Sequence, residues 1–270
     1  MGIPGLRLAS TLMLVFAALS LAGCASVSGG APVGGFVERS VRVDGAEHRY
    51  QVFVPAQRRR GKSLPTILFL HGTGERGDDG DKPTRAGIGP YVRAHADTFP
   101  ALVVFPQAPE GRDWNGVAAA IAFAALEAAS EEFGGDPDRT YLTGLSMGGY
   151  GTWELGLMQP RRFAALVPIC GGLTAPRAER DLFVGPLRDE ADKPAALAQR
   201  LKHLPVWIFH GAKDDVVPPG ESRAAYAAFK AAGAANVRYT EFPEANHNSW
   251  DPAYAQTPEL WPWLFAQRRK

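Results

Sequence analysis

Gly144-Leu145-Ser146-Met147-Gly148 is the strongest chemical signal in the sequence: a serine with a glycine two positions away on each side. A serine hydroxyl is a weak nucleophile unless a base takes its proton and oriented donors receive the negative charge it creates. Small residues at those two positions suit a sharp turn between a strand and a helix, where side chains would collide with neighbouring backbone. Residues 140–143 read as strand and 147–158 as helix. The hydroxyl would then project above a sheet at a helix N-terminus, where the dipole favours developing negative charge. An ordinary serine in a Gly-rich turn does not account for the strand before it and the helix after it.

Six histidines could serve as the base. His247 lies in a loop after the last strand-like run, in Glu244-Ala245-Asn246-His247-Asn248-Ser249-Trp250. It would stand last in a Ser, acid, His chain order. His71 and His210 each end a strand-like run and precede glycine, so they are expected to hold loops by hydrogen bonding; His48, His95 and His203 have no motif around them. The acid that orients the base is sought in His210-Gly211-Ala212-Lys213-Asp214-Asp215-Val216-Val217-Pro218. On position alone Asp214 and Asp215 are equal candidates. An oxyanion site needs two backbone N–H groups aimed at one point. Met147 would give one, and Thr73 in His71-Gly72-Thr73-Gly74 the other, with Gly74 as the alternative. Cys170 is a conceivable thiol nucleophile, but a small buried hydrophobe at a strand end is the plainer reading. No His/Cys cluster has metal-ligand spacing. The acidic run Asp78, Asp79, Asp81 lacks the remaining pattern of a calcium loop and reads as a solvated loop. No metal and no cofactor is expected.

The elements that would position these residues are short apolar runs bounded by turn residues. Residues 36–43 and 48–54 flank Asp44-Gly45 and predict an antiparallel hairpin. Runs at 66–70, 101–105, 140–143, 164–169 and 206–209 suit parallel strands buried on both faces, and 237–242 is a further strand. Helical patterns cover 117–133, 147–158, 221–231 and 258–267. The last of these has Thr257 as a candidate N-cap and Pro262 as a complication. The alternation predicts an α/β architecture, a mostly parallel, doubly wound sheet of about eight strands with helices on both faces. Residues 173–204 break the rhythm. They are charged, contain proline and are expected to carry a helix within 189–204; the segment is a candidate cap over the carboxyl ends of the strands.

Composition narrows the function classes. The chain has 270 residues, a net charge of +1 and 46% hydrophobic residues. There is no field of one sign to attract nucleic acid. The N-terminus reads separately from the rest. Arg7 and the apolar run 11–21 resemble a signal peptide, the run being shorter than the roughly 20 residues of a membrane span. The run ends in Leu21-Ala22-Gly23-Cys24, which is similar to a bacterial lipobox. The expectation is a lipoprotein signal segment with its lipobox over 1–24, removal of the peptide before Cys24, acylation (for example palmitoylation) of Cys24 and anchoring to the cell envelope, at the outer membrane of a two-membrane cell given Ala25. Residues 25–35 are small and uncharged, a tether of roughly 15–20 Å as a random coil. The main domain is expected over 36–270. If Cys24 is acylated, the second cysteine, Cys170, has no disulfide partner within the chain.

Four stretches together carry a resemblance: residues 70–77, residues 144–151, Pro168-Ile169-Cys170-Gly171-Gly172, and the HGxxDxVVP run from His210. From about Tyr50 onward the chain resembles α/β-hydrolase-fold secreted carboxylesterases related to polyhydroxybutyrate depolymerases and feruloyl esterases, a group that also includes proteins described as peptidases or phospholipase/carboxylesterases. The resemblance implies that Asp214, not Asp215, is the acid. It also implies a cleft with aromatic walls, to which Trp114 and Trp250 would contribute, and hydrolysis of a small-molecule or polymer-linked ester through an acyl-enzyme. The segment before Pro205 is longer than in those relatives, and caps set acyl or alcohol specificity in this fold. The rivals are a serine peptidase using the same residues and a lipid-tethered binding protein without turnover.

Overall fold

Apolar runs too short to be helices form strands here, and those at 64–70, 102–106, 165–169 and 206–211 are buried along their whole length. The computed structural model describes residues 1–2, 34–57, 61–178 and 180–269. The expected signal segment, Cys24 and the tether up to residue 33 therefore lie outside the described residues. The chain divides into a unit Met1–Gly30 and a unit Ala31–Lys270, and the strands and helices of the described residues belong to the second. Its strands are β1 Gly35–Val43, β2 Ala46–Val54, β3 Leu64–Leu70, β4 Leu102–Pro106, β5 Gly135–Leu145, β6 Ala165–Ile169, β7 Val206–Gly211 and β8 Val237–Phe242. They form one eight-stranded sheet in the order β1-β2-β4-β3-β5-β6-β7-β8. β1 and β2 are antiparallel, as are β2 and β4, and the other pairings are parallel. The hairpin turns at Asp44 and Gly45, both at positive φ, which twists with the strands.

The helices are α1 Ile88–Ala94, α2 Gly116–Phe133, α3 Met147–Met158, α4 Lys193–Leu201, α5 Gly220–Ala231, α6 Trp250–Ala255 and α7 Leu260–Ala266. Period-two alternation divides the strand side chains between two cores. Leu68, Val104, Leu142, Leu166 and Ile208 pack under α2, α3, α4 and α5. Ile67, Phe69, Val103, Phe105, Tyr141 and Phe209 pack under α1, α6 and α7. Burying a side chain of this size contributes about 1.5–3 kcal/mol by removing its apolar surface from water. This explains why β4, and β3 apart from Thr66, are apolar along strands with no solvent face.

Two expectations need correction. The single helix expected over 258–267 is shorter, and a separate helix, α6, precedes it. Thr257 is not its N-cap. Glu259 holds that position, while the Thr257 hydroxyl donates to the Pro252 carbonyl at 3.1 Å. Pro262 falls in the opening turn of α7, where its missing N–H costs nothing. Within 173–204, α4 lies inside the expected 189–204 range and packs against α3 and α5. Among the described residues no helix is long and apolar enough to cross a membrane.

Candidate active site

The turn after β5 explains both glycines. A Cβ on Gly144 would lie 2.2 Å from the Gly148 carbonyl oxygen, and one on Gly148 would lie 1.9 Å from that of Leu70. Between them Ser146 has φ 53° and ψ −118°, a left-handed conformation that side chains rarely adopt. Its N–H donates to the Ile169 carbonyl at 3.0 Å, so the turn is pinned to β6.

From this turn a chain of hydrogen bonds runs across three loops. Ser146 Oγ lies 2.9 Å from His247 Nε2, and His247 Nδ1 lies 2.8 Å from Asp214 Oδ2. With Nδ1–H donating to the carboxylate, Nε2 is free to accept the serine proton. Asp214 follows β7 and is buried, whereas Asp215 is exposed. The two acids that position alone left equal are thus separated: Asp214 is the one that meets the imidazole. The other oxygen of Asp214 accepts the Val216 and Val217 N–H groups, each at 2.9 Å. Burial by itself would raise the pKa of Asp214. The hydrogen bonds from His210, His247 and Val217 outweigh it and hold the carboxyl well below the usual range.

His210, expected only to hold a loop by hydrogen bonding, also reaches the acid itself. Its Nε2 lies 3.1 Å from Asp214 Oδ2 and 3.0 Å from the Val217 carbonyl, while Nδ1 meets the Ser222 hydroxyl at 2.7 Å. It fixes the acid loop, and Asp214 is shared between two imidazoles. His71 does the same for the loop after β3. It accepts the Ala108 N–H on Nε2 at 3.0 Å and donates from Nδ1 to the Gly72 carbonyl at 2.6 Å. Burial drops its pKa to about 4, so the ring stays neutral in this tautomer.

That loop continues as a short 3₁₀ turn, Thr73–Glu75. Among the described residues the backbone N–H groups of Thr73 and Met147 make no hydrogen bond, which leaves both available to a ligand. Thr73 and Gly74 line a cleft of about 350 Å³ together with Ser146, His247, Trp250, Pro176, Arg177, Arg180 and Leu182. This size suits a small ligand. Trp250 stands edge-on to His247, with ring centroids 5.7 Å apart. Trp114 is not a wall residue. It is 2% exposed, and its indole N–H donates to the His71 carbonyl at 2.9 Å, so it supports the loop from behind. An aromatic in a loop just before a helix does not reveal which side of the neighbouring loop it will occupy. Four rim residues from the 173–204 segment, Pro176, Arg177, Arg180 and Leu182, also escaped the sequence reading, because no motif marks them.

Cys170 lies beneath the turn, fully buried at φ 41°, with Sγ 3.3 Å from the Ser146 nitrogen. Burial pushes its thiol pKa well up, so it is not a thiolate nucleophile. Among the described residues Cys170, Asp214 and His247 form the one group whose ligand atoms lie within 4.8 Å of one another. A metal there would have to displace the Asp214–His247 bond and a buried thiol proton, so the donor set suits proton transfer better. Asp79, in the acidic run, accepts the Asp81 and Lys82 N–H groups at 2.7 and 2.8 Å and closes its own turn.

The sheet order, the serine turn after β5 and the acid and imidazole loops after β7 and β8 define the α/β-hydrolase fold. No protein-family model matches the chain. A solved thermostable esterase is 31% identical and superimposes with a TM-score of 0.70, over 87% of this chain and 63% of that one. The Pyrococcus horikoshii acylaminoacyl peptidase superimposes with a TM-score of 0.68 at 17% identity, over 89% of this chain and 42% of that one, which is a likeness of fold. Esterase LipQ of Mycobacterium tuberculosis (strain ATCC 25618 / H37Rv) is 51% identical over 43 residues, 16% of this chain and 10% of that protein. The chain thus spans less than two thirds of the esterase structure it resembles, and its match to LipQ is a short segment.

Proposed function

We propose that the chain is a serine hydrolase that cleaves carboxylic esters through an acyl-enzyme on Ser146. The observation that carries this reading is the continuous bond path from Ser146 Oγ through His247 to Asp214, at 2.9 and 2.8 Å, ending in a buried carboxylate. In the first step His247 Nε2 takes the hydroxyl proton as Oγ bonds to the ester carbonyl carbon. The Met147 and Thr73 amides receive the oxyanion. The tetrahedral species collapses, His247 protonates the leaving alcohol, and a water activated by the same imidazole then releases the acid. Asp214 stabilises the imidazolium without taking its proton.

Esters rather than amides are proposed because the alkoxide is the better leaving group. The test compares purified protein with Ser146→Ala on p-nitrophenyl acetate, p-nitrophenyl butyrate, methyl ferulate and a dipeptide anilide, with fluorophosphonate labelling alongside. The expected result is ester turnover and labelling in the parent only. Equal turnover in Ser146→Ala would remove the mechanism. Faster anilide than ester cleavage would make the protein a peptidase, and neither turnover nor labelling would make it a binding protein. The lipobox-like Leu21-Ala22-Gly23-Cys24 supports anchoring through acylated Cys24. Cys24→Ser is expected to move the protein to the soluble fraction, and an unchanged membrane fraction would refute the anchor.

A further inference from the structure

The rim of the Ser146 cleft carries more positive charge than its own salt bridges use. Arg180 donates to Asp113 through both terminal nitrogens, at 3.2 and 2.5 Å, and Arg76 donates to the same carboxylate. Two guanidinium groups therefore share one acid. Arg76 is further fixed by its Nε bond to the Arg112 carbonyl at 2.6 Å. This anchor holds Arg180 against the body of the protein. Arg177 and Arg180 face each other across an antiparallel bridge, closed by the Arg180 N–H on the Arg177 carbonyl at 3.1 Å. Residues paired in this way send their side chains to the same side. Both line the cleft with Ser146 and His247. Among the described residues Arg177 makes no ion pair, and it is exposed. The opposing acid in the lining is Glu75, on the loop after β3. Burial raises its pKa, against hydrogen bonds from the Gly72 and Glu75 amides.

We infer that the site selects esters bearing a carboxylate, which Arg177 binds at the cleft rim while the ester carbonyl lies at Ser146. This rests on the serine-hydrolase reading above. Leu145, Pro176, Leu182, Val216, Val217 and Trp250 add apolar surface to the lining, so the selected molecule has an apolar body and one anionic end. A guanidinium matches a carboxylate with two parallel N–H donors, a geometry that an ammonium cannot supply.

The experiment uses the full chain, Ser146→Ala and Arg177→Gln on two substrate pairs that differ in one charge. The first pair, p-nitrophenyl hexanoate and p-nitrophenyl monoadipate, places the carboxylate on the acyl side. The second, 4-(methoxycarbonyl)phenyl butyrate and 4-carboxyphenyl butyrate, places it on the leaving group, and 4-(phosphonooxy)phenyl butyrate adds a phosphate. The readout is the charged-to-neutral ratio of kcat/KM, in which differences in leaving-group reactivity cancel between parent and variant. In one of the carboxylate pairs the ratio is expected to fall about tenfold in Arg177→Gln, mainly through KM, and to shrink in the parent as salt rises, as an exposed charge pair must. Unchanged ratios in both pairs would overturn the inference, as would a response confined to the phosphate ester. If Ser146→Ala abolishes turnover of every ester while the ratios ignore Arg177, charge selection alone fails. If Ser146→Ala still turns over the esters, the underlying reading fails.

Discussion

At φ 53° Ser146 occupies backbone space that an L-residue reaches at a cost of about 1–3 kcal/mol. Bonds to Ile169 and the glycine contacts hold it there, and the return is a hydroxyl held at bonding distance from His247. Asp214 is bound as firmly. Two backbone N–H groups and two imidazoles surround its carboxylate. Asp214→Asn would put an amide where the Nδ1–H must donate and favour the wrong imidazole tautomer. A fall in kcat of about 10³–10⁴ is expected, with KM little changed. Asp215→Asn, at an exposed position one residue on, should stay within about twofold, as surface changes usually do. Steady-state kinetics of the two variants side by side would check this. The sequence placed the serine and the imidazole through local motifs. Position alone left Asp214 and Asp215 equal, and only the family resemblance favoured Asp214, because the choice depends on which way a loop turns after β7 and adjacent residues of one type carry no signal of that. The bond from His210 was hidden for the same reason: it joins residues across a turn.

At the scale of elements, α3 carries two features that can be tested. Gly148 lies where any Cβ would enter the Leu70 carbonyl. Gly148→Ala is expected to abolish fluorophosphonate labelling, because the turn cannot keep its shape with that clash in place. Further along α3, Glu154 is buried and accepts the Gly185 N–H at 2.5 Å, tying the helix to the 173–204 segment. Burial raises its pKa to about 7 from 4.5, against the opposing effect of that hydrogen bond. The folded state therefore holds this proton more tightly than the unfolded state does. The resulting stability is fully present below about pH 4.5 and is lost as pH rises through about 7. Over that window the loss is on the order of 3 kcal/mol. Denaturant melts of Glu154→Gln against the parent should show a variant whose stability lacks this downward slope. The strands were legible because both-face burial writes unbroken apolar runs. Helix α1 was not, because Gly87-Ile88-Gly89-Pro90 reads as a turn until Gly89 is seen against the Thr84 carbonyl, where a Cβ would lie 2.1 Å away. The C-terminal helices were half legible: their aromatic residues were evident, but the break between them was not.

The whole molecule depends on an aromatic layer on the face covered by α1, α6 and α7. Trp261 stacks on Tyr91 at 5.0 Å and meets Phe99 edge-on at 5.1 Å. Trp261→Ala removes a nearly buried ring and should cost about 3–5 kcal/mol, read as a lower urea midpoint with a similar m-value. The bond between Ser146 and His247 joins residues 101 positions apart. Closing so long a loop is entropically expensive, and contacts of this separation form late. On the proposed function, turnover would serve as a clock for the end of folding. In refolding from urea, tryptophan fluorescence should recover first and ester hydrolysis after it, and any compact species between the two would be enzymatically silent.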